Sequence, residues 1–168
     1  ASTVSVADAT TCDESAELMA NVSADVTSFL WSNGETTSAI TVTESGDYSV
    51  TVTNEIGCTA KTIGVATLYS TPIINLGDDI DIIVGESITL NSSTGGAASY
   101  SYQWSPIEGL NDAAIANPIA TPLETTTYTL TITDVNGCTA TDQIMITVNS
   151  LPITATAEAT CNEPGMGS

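Results

Sequence analysis

The chain has no histidine and a single basic residue, Lys61, against 20 acidic ones, giving a formal net charge of -19 over 168 residues. Without histidine there is no His-assisted nucleophile and no imidazole metal site. Without a basic patch the surface repels phosphate, which excludes nucleic acid and electrostatic binding to an anionic membrane. Aromatics are sparse, with one Phe and two Trp. The longest apolar runs, such as Ile82-Ile83-Val84, fall far short of the ~20 residues a helix needs to cross a bilayer, so no direct membrane insertion is expected. No charged and then apolar leader is visible from Ala1 onward. Charged residues make up 12% of the chain and hydrophobic ones 42%, which excludes an acidic disordered tail. Thr (29) and Ser (18) together supply 47 of the 168 residues and stand among many Val and Ile, a β-forming composition. An extracellular all-β protein is the expectation, and most enzyme classes are disfavoured.

An internal repeat organises the chain. Asn136-Gly137-Cys138-Thr139-Ala140 repeats Ile56-Gly57-Cys58-Thr59-Ala60 at a spacing of 80, as Tyr128–Thr133 repeats Tyr48–Thr53 and Ser150-Leu151-Pro152-Ile153 repeats Ser70-Thr71-Pro72-Ile73. Trp31 and Trp104 are 73 apart, so an insertion of seven is expected after the second Trp, around Pro106 to Pro118. The expected units are 1–69 and 73–149, with 153–168 opening a third, where Ala159-Thr160-Cys161-Asn162-Glu163 echoes Thr10-Thr11-Cys12-Asp13-Glu14. The third unit is too short to bury a core, so a piece of a longer array is expected. Ile40–Thr43 and Tyr48–Thr53 alternate apolar with polar, and Asn33-Gly34, Ser45-Gly46-Asp47 and Ile56-Gly57 are turn signals. In the second unit, strands are expected near 80–84, 87–92, 99–105, 127–133 and 138–148. Short proline linkers at Pro72 and Pro152 would hold such units end to end as a rod.

Many short strands at regular spacing mean a sandwich or barrel, and three features select tandem immunoglobulin-like β-sandwiches. Each unit has one Trp, Trp31 or Trp104, where strand C buries its own. Glu44-Ser45-Gly46-Asp47-Tyr48 has the form of a tyrosine corner, and Tyr128 holds the place of Tyr48 in the second unit. Two residues beyond these tyrosines stand Val50 and Leu130, where antibody domains carry a cysteine, so aliphatic packing is expected to replace the inter-sheet disulfide. Trp31, Tyr48, Trp104 and Tyr128 are the expected structural core.

The run Trp31-Ser32-Asn33-Gly34-Glu35-Thr36-Thr37, followed by Tyr48 and then Gly57-Cys58-Thr59-Ala60, resembles the SprB-type, PKD-like and Ig-like repeats of large surface adhesins of gliding bacteria exported by type IX secretion. Gly85–Leu90, Tyr102-Gln103-Trp104 and Thr125–Tyr128 resemble the same modules. The resemblance implies a non-catalytic repeat on a long extracellular cell-surface protein, serving adhesion and gliding motility. It departs from the fuller pattern at Val84, read as the position matching Cys12. Neighbouring repeats of the same chain are the expected partners, with a surface polysaccharide or the substratum beyond them.

The rival sites are modest. The acids are scattered over turns and strand edges, without the cleft a glycosidase pair needs, so no catalytic residue is assigned. Lys61 reads as a solvated strand lysine rather than half of an isopeptide or Schiff-base site. Tyr100, Tyr102 and Trp104 share one strand face, and an exposed strip there would make a carbohydrate-binding module; with Trp104 inside, the same parity turns the tyrosines toward the core. Asp78, Asp79 and Asp81 form the densest acidic cluster and are weak calcium candidates, although their spacing matches no EF-hand loop; no cofactor is otherwise expected. An accessory stalk of a secreted hydrolase is a further alternative.

Four cysteines in an exported β-protein should be oxidised. With the strand directions of an immunoglobulin-like unit, Cys12 lies at the A–B turn on the C-terminal pole, while Cys58 follows the F–G turn on the N-terminal pole. A strand of roughly six or seven residues separates the poles by about 20 Å, whereas a disulfide tolerates only about 7 Å between Cα atoms. The C-terminal pole of the first unit faces the N-terminal pole of the second, where Cys138 sits. An interdomain Cys12–Cys138 bridge is therefore expected, with Cys58 and Cys161 reserved for a preceding and a following unit. An intradomain Cys12–Cys58 bond is the alternative if strand A is irregular.

Overall fold

A computed structural model describes residues 2–96 and 99–151, and among these every regular element is a strand. The first seven are β1 (Val4–Val6), β2 (Ala9–Thr11), β3 (Ala16–Val22), β4 (Val26–Trp31), β5 (Ala39–Val42), β6 (Gly46–Asn54) and β7 (Thr59–Leu68). They form a three-stranded sheet in the order β1-β3-β5 and a four-stranded sheet in the order β2-β7-β6-β4. The chain thus changes sheets between Val6 and Ala9. β1 runs antiparallel to β3, and β2 then runs parallel to β7.

Period-two alternation explains how the sheets close on one another. On β3, Ala16, Leu18 and Ala20 are buried, while Glu17, Met19 and Asn21 are exposed. On β6, Val50 and Val52 are both fully buried. These side chains, with Trp31, Ile40, Val42 and Ala66, make one core, against which Val6, Phe29 and Tyr48 pack partly buried. Among the described residues no disulfide links the two sheets; Leu18 and Val50 occupy the interior instead.

The next eight strands repeat this plan: β8 (Ile73–Asn75), β9 (Ile80–Ile83), β10 (Ile88–Thr89), β11 (Ser93–Gly95), β12 (Tyr100–Ser105), β13 (Ile119–Ala120), β14 (Thr126–Asp134) and β15 (Thr139–Asn149). One sheet has the order β12-β14-β15-β9, with β9 parallel to β15. The opposite side is made of two short antiparallel pairs, β10 with β13 and β11 with β8. A separate core gathers Leu76, Leu90, Trp104, Tyr128, Leu130, Ile132, Ile144 and Ile146. No strand of the first sandwich pairs with a strand of the second among the described residues. The opening expected over 153–168, with Cys161, lies outside the described residues.

The loop after each Trp shows how the insertion is absorbed. Trp31 Nε1 donates to Thr37 O and Trp104 Nε1 to Ile115 O, each at 2.9 Å. Each Trp main-chain N–H also donates into the same loop, Trp31 to Glu35 O and Trp104 to Ala113 O, again at 2.9 Å. The longer second loop keeps both contacts by looping out further, and it puts Glu108 beside the second core. That changes the tyrosine corner. Tyr48 Oη donates to Glu44 O at 3.0 Å, four residues upstream, the expected local corner. Tyr128 Oη instead donates to Glu108 O at 2.8 Å, reaching the inserted loop.

Candidate functional site

The place where the two sandwiches meet is built by the ends of four strands. β7 ends at Leu68, and Tyr69 N–H donates to Thr11 O at 2.9 Å, so the end of β2 and the start of the linker are held side by side. Cys12 follows directly. Thr11 and Asp13 exchange two hydrogen bonds around it: Thr11 Oγ1 donates to Asp13 Oδ2 at 2.9 Å, and Asp13 N–H donates to Thr11 Oγ1 at 3.0 Å. The linker then passes Ser70 and Thr71, both exposed, to Pro72, which is buried. An open cleft on this pole is lined by Cys12, Asp13, Thr43, Tyr69, Thr71 and Ile73.

From the other side comes the turn between β14 and β15. Asp134 Oδ1 accepts from the N–H of both Asn136 and Cys138, at 2.9 and 2.8 Å, and Asp134 N–H donates to Cys138 O at 2.9 Å. Gly137 completes the turn with φ +86°, a left-handed conformation that favours glycine. Cys138 is bonded to Cys12 with a Cα–Cα distance of 5.5 Å across a sequence separation of 126, and it is only 1% exposed. Ser70, Pro72 and Gly96 line a second cleft against Asp134 and Asn136. A covalent bond, a buried proline and a short linker therefore converge on one junction.

The same turn exists once more, at the far pole of the first sandwich. Asn54 Oδ1 accepts from Ile56 N–H and Cys58 N–H at 3.2 and 2.8 Å, Asn54 N–H donates to Cys58 O at 3.0 Å, and Gly57 has φ +83°. Cys58 is a free thiol there and is exposed; it is not joined to Cys12. The parallel register also relocates the second unit's counterpart of Cys12. Ala9 pairs with Ala66 and Ile80 pairs with Ile146, 80 residues further on. Counting three onward puts Ile83, not Val84, at the place of Cys12. The shift of one residue is invisible in the sequence because such short parallel pairings leave no periodicity to align.

All eight aromatic side chains are buried or half-buried. Tyr100 and Tyr102 are half-buried and pack against the second core beside Trp104, so the strip on β12 faces that core. Asp79 Oδ1 accepts from Met145 N–H at 2.9 Å, which fixes the entry to β9 against β15, while Asp78 and Asp81 are exposed. No three Asp, Glu, Cys or His side chains gather as a metal site among the described residues. Lys61 is exposed on β7.

One feature that sequence reasoning missed lies at the pole bearing Cys58. Asp25 accepts hydrogen bonds from Ser23, from Ser2 (2.7 Å) and from Asn54 Nδ2 (3.3 Å). These three bonds, that of Ser23 foremost, hold its carboxyl far below the usual carboxylate range. The network ties Ser2 near the start of the chain, the β3–β4 turn and the β6–β7 turn into one surface. No motif announces it, because its members are isolated Ser, Asp and Asn residues brought together by topology.

No protein-family model matches the chain, and no curated protein matches it in sequence. Among solved structures it is similar to extracellular domains 3–5 of Drosophila OTK, with a TM-score of 0.53 and 12% identity over 89% of this chain and 62% of that one. It also aligns with the first two immunoglobulin domains of DIP-gamma (TM-score 0.42, 12% identity, 88% of this chain and 97% of that one). An alignment with a titin immunoglobulin tandem has a TM-score of 0.36 and 16% identity, covering 89% of this chain and 97% of that one. At 12% identity the likeness to the OTK domains is one of fold. With two closed cores and the strand orders above, the chain is a tandem of immunoglobulin-like β-sandwiches.

Proposed function

We propose that the chain is a non-catalytic repeat segment of an extracellular cell-surface adhesin, in which successive sandwiches form a stiff stalk. The observation that carries this reading is the Cys12–Cys138 bond, which ties one repeat to the next rather than one sheet to its partner. A disulfide placed inside a sandwich would stabilise that fold; one placed between sandwiches restricts how they turn against each other. Such a bond persists in an oxidising, extracellular setting. The net charge of -19 suits the same role, because it discourages neighbouring stalks from pairing edge to edge. Adhesion and gliding are the setting that the resemblance to SprB-type repeats suggests, with the substratum or a surface polysaccharide as the outer partner.

Small-angle scattering of the oxidised chain tests the stalk. The expected result is an elongated particle with one narrow interdomain distance that broadens on reduction with dithiothreitol. A profile of two freely reorienting beads in the oxidised state would overturn it. Antibodies raised against the two sandwiches, applied to intact cells, test the location: labelling is expected without permeabilisation.

A further inference from the structure

We infer that the N-terminal pole of the first sandwich is a docking face for the C-terminal pole of another immunoglobulin-like unit whose β2-equivalent strand is followed by a cysteine, and that Cys58 closes a disulfide with it. The inference rests on the stalk reading and adds which face is used and which unit can occupy it. The molecule contains the same face twice. In the second sandwich it is occupied: the turn Asp134–Cys138 meets the linker and Cys12, Pro72 is buried, and Cys138 is 1% exposed. In the first sandwich the matching turn Asn54–Cys58 has the same hydrogen bonds and the same left-handed glycine, but Cys58 is free and exposed.

Two further features mark that pole as a seat. Ile56, at the tip of the turn, is 83% exposed, beside a groove of about 340 Å³ lined by Ala24, Asp25, Asn54 and Glu55. The Asp25 network holds the groove's walls in place without a partner, so little ordering is left to be done on docking. The occupant is specified by what the second sandwich lacks. Its place for the donor thiol holds Ile83, so a unit of that type cannot make the bond. The donor must be of the first type, with a cysteine after its β2 strand. In forming the bond, the two thiols give up two protons and two electrons to a small disulfide, which leaves as two thiols.

The test joins residues 1–151 directly to residues 3–151, so that Ser150-Leu151 precedes the second β1 as Ser70-Thr71 precedes β8. The first copy carries Ile83→Cys and Cys58→Ser, so that the second copy holds the one Cys58, and the protein is equilibrated with oxidised and reduced glutathione. Non-reducing peptide mapping is expected to link the introduced thiol to Cys58 of the second copy. The parent tandem, with Ile83 retained, should leave that Cys58 alkylatable. Val84→Cys, one residue past the end of β9 in the turn that follows, should crosslink at least tenfold less. The Cys12–Cys138 peptides in the same digest report whether both copies are folded. Should Ile83→Cys disturb them, a second version carries Ala9-Thr10-Thr11-Cys12 in place of residues 80–83 and is read in the same way. A Cys58 that stays alkylatable, or equal crosslinking from positions 83 and 84, overturns the inference. Either result would leave the stalk reading standing, since that is decided by the scattering of the oxidised chain.

Discussion

At the scale of single residues, the two tyrosines show how one sequence position acquires two jobs. Tyr48 and Tyr128 are 80 apart and each donates to a carbonyl, but Tyr48 is half-buried and Tyr128 fully so. Tyr128→Phe should therefore cost about 1–2 kcal/mol and Tyr48→Phe about 0.5–1 kcal/mol, read from urea midpoints at constant slope. Burial, and then the Glu108 carboxylate, push the Tyr128 phenol above its ordinary value. Its contribution is complete below the ordinary phenol range of about 10 and is lost as pH rises through the raised value, so Tyr128→Phe should lose less stability in alkali than the parent. Asp25 has the opposite sign. Its folded carboxyl is depressed, so the unfolded chain takes up the proton first as pH falls below about 4. The stabilisation is present above that point and fades as pH falls toward the folded value. Asp25→Asn should flatten the acid limb of the melting temperature against pH; an unchanged slope would show that the exposed network is fully screened. The corner at Tyr48 was legible in Glu44–Tyr48, since donor and acceptor are local. The partner of Tyr128 was not, because it depends on the path of a loop that the sequence shows only as extra length.

Among the strands, what could be read depended on length. β6, β14 and β15 carry enough alternating residues for a period of two to stand out. β8, β11 and β13 have two or three residues each, and the expected strand at 87–92 shrinks to β10, with β11 beginning beyond it at Ser93. Such elements exist because a neighbour pairs with them, which no local pattern records. The repeat also hides a difference in packing. Gly64 on β7 is buried, whereas Ile144 stands 80 residues later on β15. A Cβ at Gly64 would collide with Val6 Cγ1 and lie 3.0 Å from Val6 Cβ. In the first sandwich β1 lies over β7, and the Val6 side chain takes space that a β7 side chain would need. Gly64→Ala should cost about 1–3 kcal/mol by overpacking. Adding Val6→Ala should recover part of that loss, a coupling that a double-mutant cycle measures.

At the scale of the whole molecule, strand direction was the most informative property of the sequence. Once the units are given the immunoglobulin order, Cys12 and Cys138 fall on facing poles and Cys58 on the far one. The bond between them redirects force. Tension applied to the two ends enters through β1 and β2, crosses the disulfide at Cys12, and leaves through β15. The chain between the two cysteines, a separation of 126, lies off that path and holds about 44 nm of extensible chain at ~3.5 Å per residue. Pulling the oxidised chain should therefore release only the segments outside the bond, and reduction should add about 44 nm to the final contour length. Identical traces in the two redox states would show that the bond does not lie on the force path.

The same bond changes what it takes to sever the chain. Every peptide bond from Asp13 to Gly137 lies within the closed ring, so a protease that cuts once anywhere in that stretch opens the ring without parting the ends. Exposed turns such as Ser32–Ser38, Asp78–Asp79 and Glu108–Gly109 are the natural places for such a cut. A nicked molecule would run at full length on a non-reducing gel and as two pieces after reduction. On the proposed stalk reading, the two ends would stay joined, and able to carry load, after the first wound.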